Sequence, residues 1–146
     1  MMFIADVMLG SLAKRLRLLG FDVLYDPAYR NNDVLRLALD QGRIILTRDT
    51  ALASRPLAIN HILIGSDLVD EQLHQVLKAF PPPDGGQLTR CSICNEQLSV
   101  LDRKDARDLV PDHVVATVTE FWRCGHCGKV YWKGSHVRNM RGSRTK

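Results

Sequence analysis

Two sets of side chains in the 146-residue sequence are of types that do chemistry. The first is four cysteines in two C-x2-C pairs, Cys91-Ser92-Ile93-Cys94 and Cys124-Gly125-His126-Cys127. Four thiolates paired in this way suit tetrahedral Zn2+. The two-residue spacer lets backbone amides turn around the metal, and Gly125 and Gly128 are expected to supply the tight turn at the second pair. The rivals are two disulfides or a redox dithiol. Disulfides call for an oxidising compartment. The start, MMFIADVMLGSLAKR, does not resemble a secretory leader, because an acid and a glycine split its apolar run and its basic cluster comes after it. A thioredoxin-type dithiol follows a strand in a βαβ unit, and neither pair does. A structural zinc on Cys91, Cys94, Cys124 and Cys127 is therefore expected, with no open position for catalysis. His126 and His136 are substitute ligands that a complete cysteine set makes unnecessary.

The second set is carboxylates. Asp6, Asp33 and Asp49 stand where strands end or helices begin. In an open parallel sheet the carboxyl ends of the strands form the ligand crevice. Asp6 and Asp49 would project into it, and Asp33 would reach it from a helix start. Gathered carboxylates repel one another, and a divalent cation is the natural reason for them; hard oxygen ligands suit Mg2+ or Mn2+. Such a site activates water and offsets charge on a phosphodiester. Structural roles compete with this: a favourable charge at a helix start for Asp33, and an N-cap of a short helix through Ala53 for Asp49. Asp6, inside an apolar stretch, is the hardest to explain structurally, since an unpaired buried carboxylate is costly. Asp67 either completes the cluster or caps a helix over Leu68–Phe80. Arg48 faces phosphate or a surface acid. Lys14, Arg15 and Arg17 form a helical basic patch that steers nucleic acid or is simply solvated.

These residues must be positioned by elements, and residues 1–80 read as alternating strands and helices. Phe3, Ile4 and Val7 flank Asp6 in a first strand. Leu9, Leu12, Ala13, Leu16 and Leu19 recur at helical spacing up to Gly20. Val23–Tyr25, Ile44–Thr47 and Asn60–Ile64 read as further strands. Asn32 is placed to cap a helix through Gln41, ended by Gly42. The last helical stripe is Val69, Leu73, Val76, Leu77 and Phe80. This alternation implies an α/β unit with a parallel sheet covered on both faces. Residues 81–86, Pro-Pro-Pro-Asp-Gly-Gly, form a linker. Residues 87–146 carry the cysteines, a short helix over Asp102–Leu109, ribbon strands over Val114–Trp122 and Lys129–Trp132, and a basic tail.

Charge divides in the same way. Residues 1–84 hold 9 Lys and Arg against 10 Asp and Glu, whereas residues 85–146 hold 11 against 6. A basic excess beside the cysteines favours a polyanionic partner. Lys129, Lys133, Arg138 and Arg141 are candidates to contact it, and Trp122, Tyr131 and Trp132 either stack bases or fill the ribbon core. With 45% hydrophobic and 25% charged residues, the composition excludes wholesale disorder. No apolar run approaches the roughly 18 residues of a spanning helix, so no membrane partner and a cytoplasmic location are expected.

Several of these stretches resemble the Mut-seven C-terminal RNase family. Ala5-Asp6-Val7-Met8-Leu9-Gly10-Ser11-Leu12-Ala13, with Leu16-Arg17-Leu18-Leu19-Gly20-Phe21-Asp22, looks like its opening. Ile45-Leu46-Thr47-Arg48-Asp49 is similar to its second motif. Arg90-Cys91, Cys94-Asn95 and Cys124 through His136 resemble its zinc-ribbon end. The resemblance implies a PIN-like three-layer α/β/α nuclease domain followed by a small β-rich zinc ribbon. It implies a metal-dependent ribonuclease with Asp6, Asp33 and Asp49 as metal-holding residues, and single-stranded or structured RNA as substrate. Two departures stand out: Asn31-Asn32 precede Asp33 where an acid or serine is expected, and position 15 is Arg in place of an aromatic residue. The rival is a non-catalytic RNA-binding or ribosome-associated adaptor with a degenerate nuclease fold.

Overall fold

The computed structural model describes residues 1–83 and 88–133. Of the residues named above, Arg138, Arg141, His136, the basic tail and the Asp84-Gly85-Gly86 part of the linker lie outside the described residues. Four short strands, β1 (Met2–Ala5), β2 (Asp22–Leu24), β3 (Ile44–Thr47) and β4 (His61–Leu63), pair in parallel in the order β2-β1-β3-β4. Around them stand α1 (Gly10–Leu18), α2 (Asn31–Gln41), α3 (Thr50–Ala53) and α4 (Val69–Ala79).

The alternation of side chains along each strand splits the core into two layers. Phe3, Ala5 and Leu46 pack with Leu12, Ala13 and Leu16 of α1 and Val76 of α4. On the opposite face, Ile4 and Ile45 pack with Val34, Leu35 and Ala38 of α2 and Leu52 of α3. Each fully buried Leu, Ile or Phe contributes roughly 1.5–3 kcal/mol. The expected covered parallel sheet is what forms.

Element ends differ from the sequence expectations in instructive ways. β1 stops at Ala5, so Asp6 is the first residue beyond the strand, where its side chain caps the 3-10 turn Val7–Leu9. α2 starts two residues early. Asp33 reaches back to the amide of Arg30 at 2.9 Å, so Asn32 sits inside the helix and caps nothing. Gly42 ends α2 at φ +66°, as a left-handed stop requires. Asp67 does not cap α4: Ser66 accepts the Leu68 amide at 3.0 Å and donates to Glu71 at 2.6 Å.

The second sheet is antiparallel, with β5 (Leu98–Leu101), β6 (Phe121–Cys124) and β7 (Val130–Trp132) in that order. Between β5 and β6 lie α5 (Arg103–Ala106) and α6 (Asp112–Thr117). The expected strand over Val114–Trp122 is thus helix in its first four residues, and strand only at Phe121 and Trp122. Pro111 starts α6, and Val114 is buried against Ala106 and Phe121, which overrides the strand preference of two adjacent valines.

The two sheets are joined along the edge strand β2. Leu18 packs among Leu88, Cys91, Cys124 and Tyr131. Arg17 is 5% exposed; its Nε donates to the Val23 carbonyl at 2.9 Å. Its Nη1 donates to the carbonyls of Ser92 and Ile93, at 3.0 and 3.2 Å. From the other side, Asn95 Oδ1 accepts the Val23 amide at 3.1 Å, and Asn95 Nδ2 donates to Asp22 at 2.7 Å. An open strand edge is thereby covered by side chains instead of a fifth strand.

Candidate functional site

The four cysteines come together as their spacing requires. Their sulfurs all lie within 4.8 Å of one another, and no disulfide links them. Cys91 and Cys127 are 3.7 Å apart at sulfur. Tetrahedral zinc–thiolate bonds of about 2.3 Å put sulfurs about 3.8 Å apart. Within each pair the amide of the second cysteine points at the sulfur of the first, at 3.4 Å for Cys94 and 3.5 Å for Cys127. The residue after each pair is left-handed: Asn95 at φ +66° and Gly128 at φ +82°. Gly125 has no such conformation, so the turn role expected of it falls to Gly128 and, at the first pair, to Asn95. The Tyr131 hydroxyl donates to the Cys91 sulfur at 3.2 Å. Burial raises the Cys91 thiol, but hydrogen bonds from Tyr131 and the Cys94 amide outweigh it and bring the thiol down to about 7. This donor set can hold a metal ion. His126 Nδ1 stands 3.3 Å from Cys94 Sγ, outside the complete set of four.

The acids lie at the carboxyl end of the parallel sheet. Asp6 follows β1 and Asp49 follows the neighbouring β3, and Thr47 ties them together. Thr47 is fully buried; its hydroxyl donates to Asp6 Oδ2 and accepts the Asp49 amide at 2.9 Å. Asp6 is 4% exposed and also accepts the amides of Met8 at 2.9 Å and Arg48 at 3.3 Å. Donors therefore offset the cost of burying this carboxylate. Asp49 Oδ1 caps α3 through the Ala51 amide at 2.9 Å and the Leu52 amide at 3.4 Å. Among the described residues its Oδ2 accepts a long bond, 3.4 Å, from the side chain of Asn31.

Asp33 is held differently. One oxygen takes the Arg30 amide and the other lies 3.6 Å from Arg36. The residue of α2 that touches Asp49 is Asn31. Among the described residues, the cysteines form the one tight group of three or more potential metal-ligating side chains. The structure thus brings Asp6 and Asp49 to one end of adjacent strands and leaves Asp33 in its own helix cap. Asp67 is exposed beyond β4.

The basic candidates separate by exposure. Arg15 and Arg17, expected on a solvent-facing patch, are 2% and 5% exposed. Arg15 pairs with Asp70 of α4, and Arg17 joins the two sheets. A spacing-based helical wheel places them outward, but long side chains can curl under neighbouring elements that the wheel does not include. Only Lys14 of that patch is exposed. Arg48 is half-buried beside Asp6, and its Nε has no hydrogen-bond partner among the described residues. Lys129 and Lys133 are exposed, with their amines 5.5 Å over the Tyr131 ring and 5.6 Å over the Trp122 ring. Tyr131 is buried, and Trp132 packs 6.4 Å from Phe121, so these two fill the ribbon.

Sequence reasoning missed Thr47, Asn31 and Asn95. A hydroxyl one position before Arg48-Asp49 was the available signal for Thr47. For Asn95, the position just after a cysteine pair was the signal.

A family model for the Mut7-C RNAse domain matches residues 1–143. The chain belongs to that family. No curated protein and no solved structure matches it significantly.

Proposed function

We propose that this member of the Mut7-C RNAse domain family is a divalent-metal-dependent ribonuclease that hydrolyses RNA phosphodiester bonds. The observation that carries the proposal is the pairing of Asp6 and Asp49 through Thr47 at the carboxyl ends of neighbouring parallel strands. The residues fit Mg2+ or Mn2+ in donor type: hard carboxylate oxygens, with Asp49 Oδ2 engaged, among the described residues, by a long bond to an amide side chain. Asp6 and Asp49 would hold the ion, with Asp33 as a third ligand from the start of α2 and Asp67 as a further candidate. Such an ion, when bound, lowers the pKa of a coordinated water and offsets charge on the phosphoryl oxygens.

The chain's own groups set the rest. The Met8 and Arg48 amides and the Thr47 hydroxyl fix the Asp6 carboxylate in one orientation before any ligand arrives, which removes reorganisation from the reaction. Two helix amides hold one Asp49 oxygen and turn the other outward. Arg48, one residue from Asp49, supplies a guanidinium to the substrate phosphate.

In this division of labour residues 1–80 carry the hydrolytic site. The second module, residues 87–146, includes the ribbon, in which Cys91, Cys94, Cys124 and Cys127 would hold one Zn2+. Exposed Lys129 and Lys133, with Arg138 and Arg141, would hold the RNA backbone. The test is cleavage of labelled RNA across Mg2+ and Mn2+ titrations. Asp6→Asn and Asp49→Asn abolish cleavage with the circular dichroism spectrum unchanged, and metal analysis finds about one zinc per chain. Asp33→Asn raises the Mn2+ concentration for half-maximal cleavage about tenfold or more, since even a group that only orients a metal ligand is worth about 10- to 100-fold.

One observation favours a second reading, an RNA-binding or ribosome-associated adaptor with a degenerate nuclease fold. The α2 side chain against Asp49 is the amide of Asn31, while Asp33 is spent on Arg30 and Arg36. RNA that binds but stays intact at every metal concentration establishes that reading.

A further inference from the structure

Between the edge strand β2 and the first cysteine pair runs a groove of about 600 Å3, lined on one side by β2 and its flanking residues and on the other by residues 90 and 93–97, just before β5. Its two ends differ. At one end are Asp22, which begins β2, and Arg43, just before β3. At the other is Tyr25, one residue past β2. Leu24 is level with Ile4 in the parallel register, so Tyr25 stands at the carboxyl end of the sheet. The Tyr25 hydroxyl donates at 2.9 Å to the carbonyl of Val7, the neighbour of Asp6. The groove therefore begins at the carboxyl end of the sheet, at a residue hydrogen-bonded to the neighbour of Asp6, and runs back along the sheet edge beside the first cysteine pair.

Its charge is unbalanced toward the cation. Arg17, Arg43 and Arg90 line it, against Asp22 and Glu96. Asp22 is already engaged by Arg43 at 2.8 Å and Asn95 at 2.7 Å. Arg90 is the most loosely held guanidinium. One nitrogen donates to the Asn95 carbonyl at 2.8 Å, but the other is 4.0 Å from Asp22, too far for a full hydrogen bond. The amide of exposed Gln97 lies alongside. A half-buried aromatic ring at one end and a loosely paired guanidinium further along are the features that take a base and a phosphate of a single strand. The volume suits a small ligand or a short stretch of a single strand.

We propose that this groove is a binding track for single-stranded RNA adjoining the acid site, with Arg90 facing a phosphate and Tyr25 presenting its ring to a base. The choice of RNA as occupant rests on the ribonuclease reading. The track itself is a separate site, at the junction of the two sheets.

Removing Arg90 would also cost its bond to Asn95, so the test changes charge where no side-chain bond is lost. Fluorescence anisotropy of a labelled single-stranded RNA, with the full zinc-loaded chain and no added Mg2+ or Mn2+, reads affinity directly. Glu96→Lys tightens binding about 3- to 10-fold and steepens the salt dependence by about one unit; Gln97→Glu weakens it by a similar factor. Asp40→Lys makes the same charge change in α2, at a residue that does not line the groove, and leaves affinity within about twofold. The proposal is overturned if Glu96→Lys and Gln97→Glu leave affinity unchanged, or if Asp40→Lys tightens binding as much as Glu96→Lys. Cleavage in Mn2+ is scored separately. Charge-sensitive binding without cleavage keeps the track and removes the nuclease. Cleavage with charge-insensitive binding does the reverse.

Discussion

Thr47 shows how one hydroxyl can organise two carboxylates. It is buried, and it serves both acids at once, as a donor to Asp6 and an acceptor for the Asp49 amide. Thr47→Val keeps the shape and removes both bonds, so a buried acceptor and an amide lose a partner. The expected loss of stability is about 1–3 kcal/mol. RNA cleavage in Mn2+ falls further than the folded fraction does, because Asp6 loses a donor that fixes its orientation. Thr47→Ser, which keeps the hydroxyl, recovers most of both. Thermal melting and single-turnover cleavage of the two variants check this; a Thr47→Val protein as active as the parent would show that Asp6 needs no such support. Asp6 and Asp49 were legible in the sequence because a carboxylate next to an apolar run is expensive without a reason. Thr47 was not, because threonine is also an ordinary strand former, and its hydroxyl has meaning only once β1 and β3 lie side by side.

Among the elements, β2 depends most on what packs against it. It is an edge strand, and the amide and carbonyl of Val23 are satisfied by Asn95 and Arg17 in place of another strand. Arg17 in turn donates to the Ser92 and Ile93 carbonyls, inside the first cysteine pair. A metal that orders that pair thereby also orders the edge of the parallel sheet. Stripping the metal with a chelator is expected to speed amide exchange at Val23, not only within the ribbon. Asn95→Gly, which keeps the left-handed turn and removes the side chain, produces the same local acceleration with metal bound, at a cost of about 1–3 kcal/mol for the orphaned amide. Exchange measured by NMR decides it; a Val23 amide indifferent to both changes would make the ribbon a passive neighbour. The order of strands and helices in residues 1–80 was legible from periodicity, because each element buries one stripe. The edges of elements were less so: Asp6, Asn32 and Val114 each sit where a local hydrogen bond or a distant packing partner overrides the pattern.

For the whole molecule, the division into a near-neutral half and a basic, cysteine-bearing half was visible in composition, but the way the halves join was not. The join is made by Arg17 and Asp22, near each other in sequence, with Asn95, which lies 73 residues beyond Asp22; each alone resembles a surface residue. Asp22 gives the join a pH dependence. Burial raises its carboxyl, but hydrogen bonds from Arg43 and Asn95, with the nearby charges of Arg43 and Arg90, hold it below the ordinary value. Arg17 and Glu96 line the same groove. A carboxyl depressed on folding binds its proton more readily in the unfolded chain. Its contribution to stability is therefore complete above the ordinary value of about 3.9 and is lost as the pH falls through the depressed one. The melting temperature of the parent is thus expected to fall below about pH 4 more steeply than that of Asp22→Asn. Asp22→Asn is the less stable of the two at pH 7, and the gap closes in acid. Melts of both proteins between about pH 2 and about pH 7 read this directly. Parallel curves would mean that the charge of Asp22 does not hold the two sheets together and that its hydrogen bonds alone do.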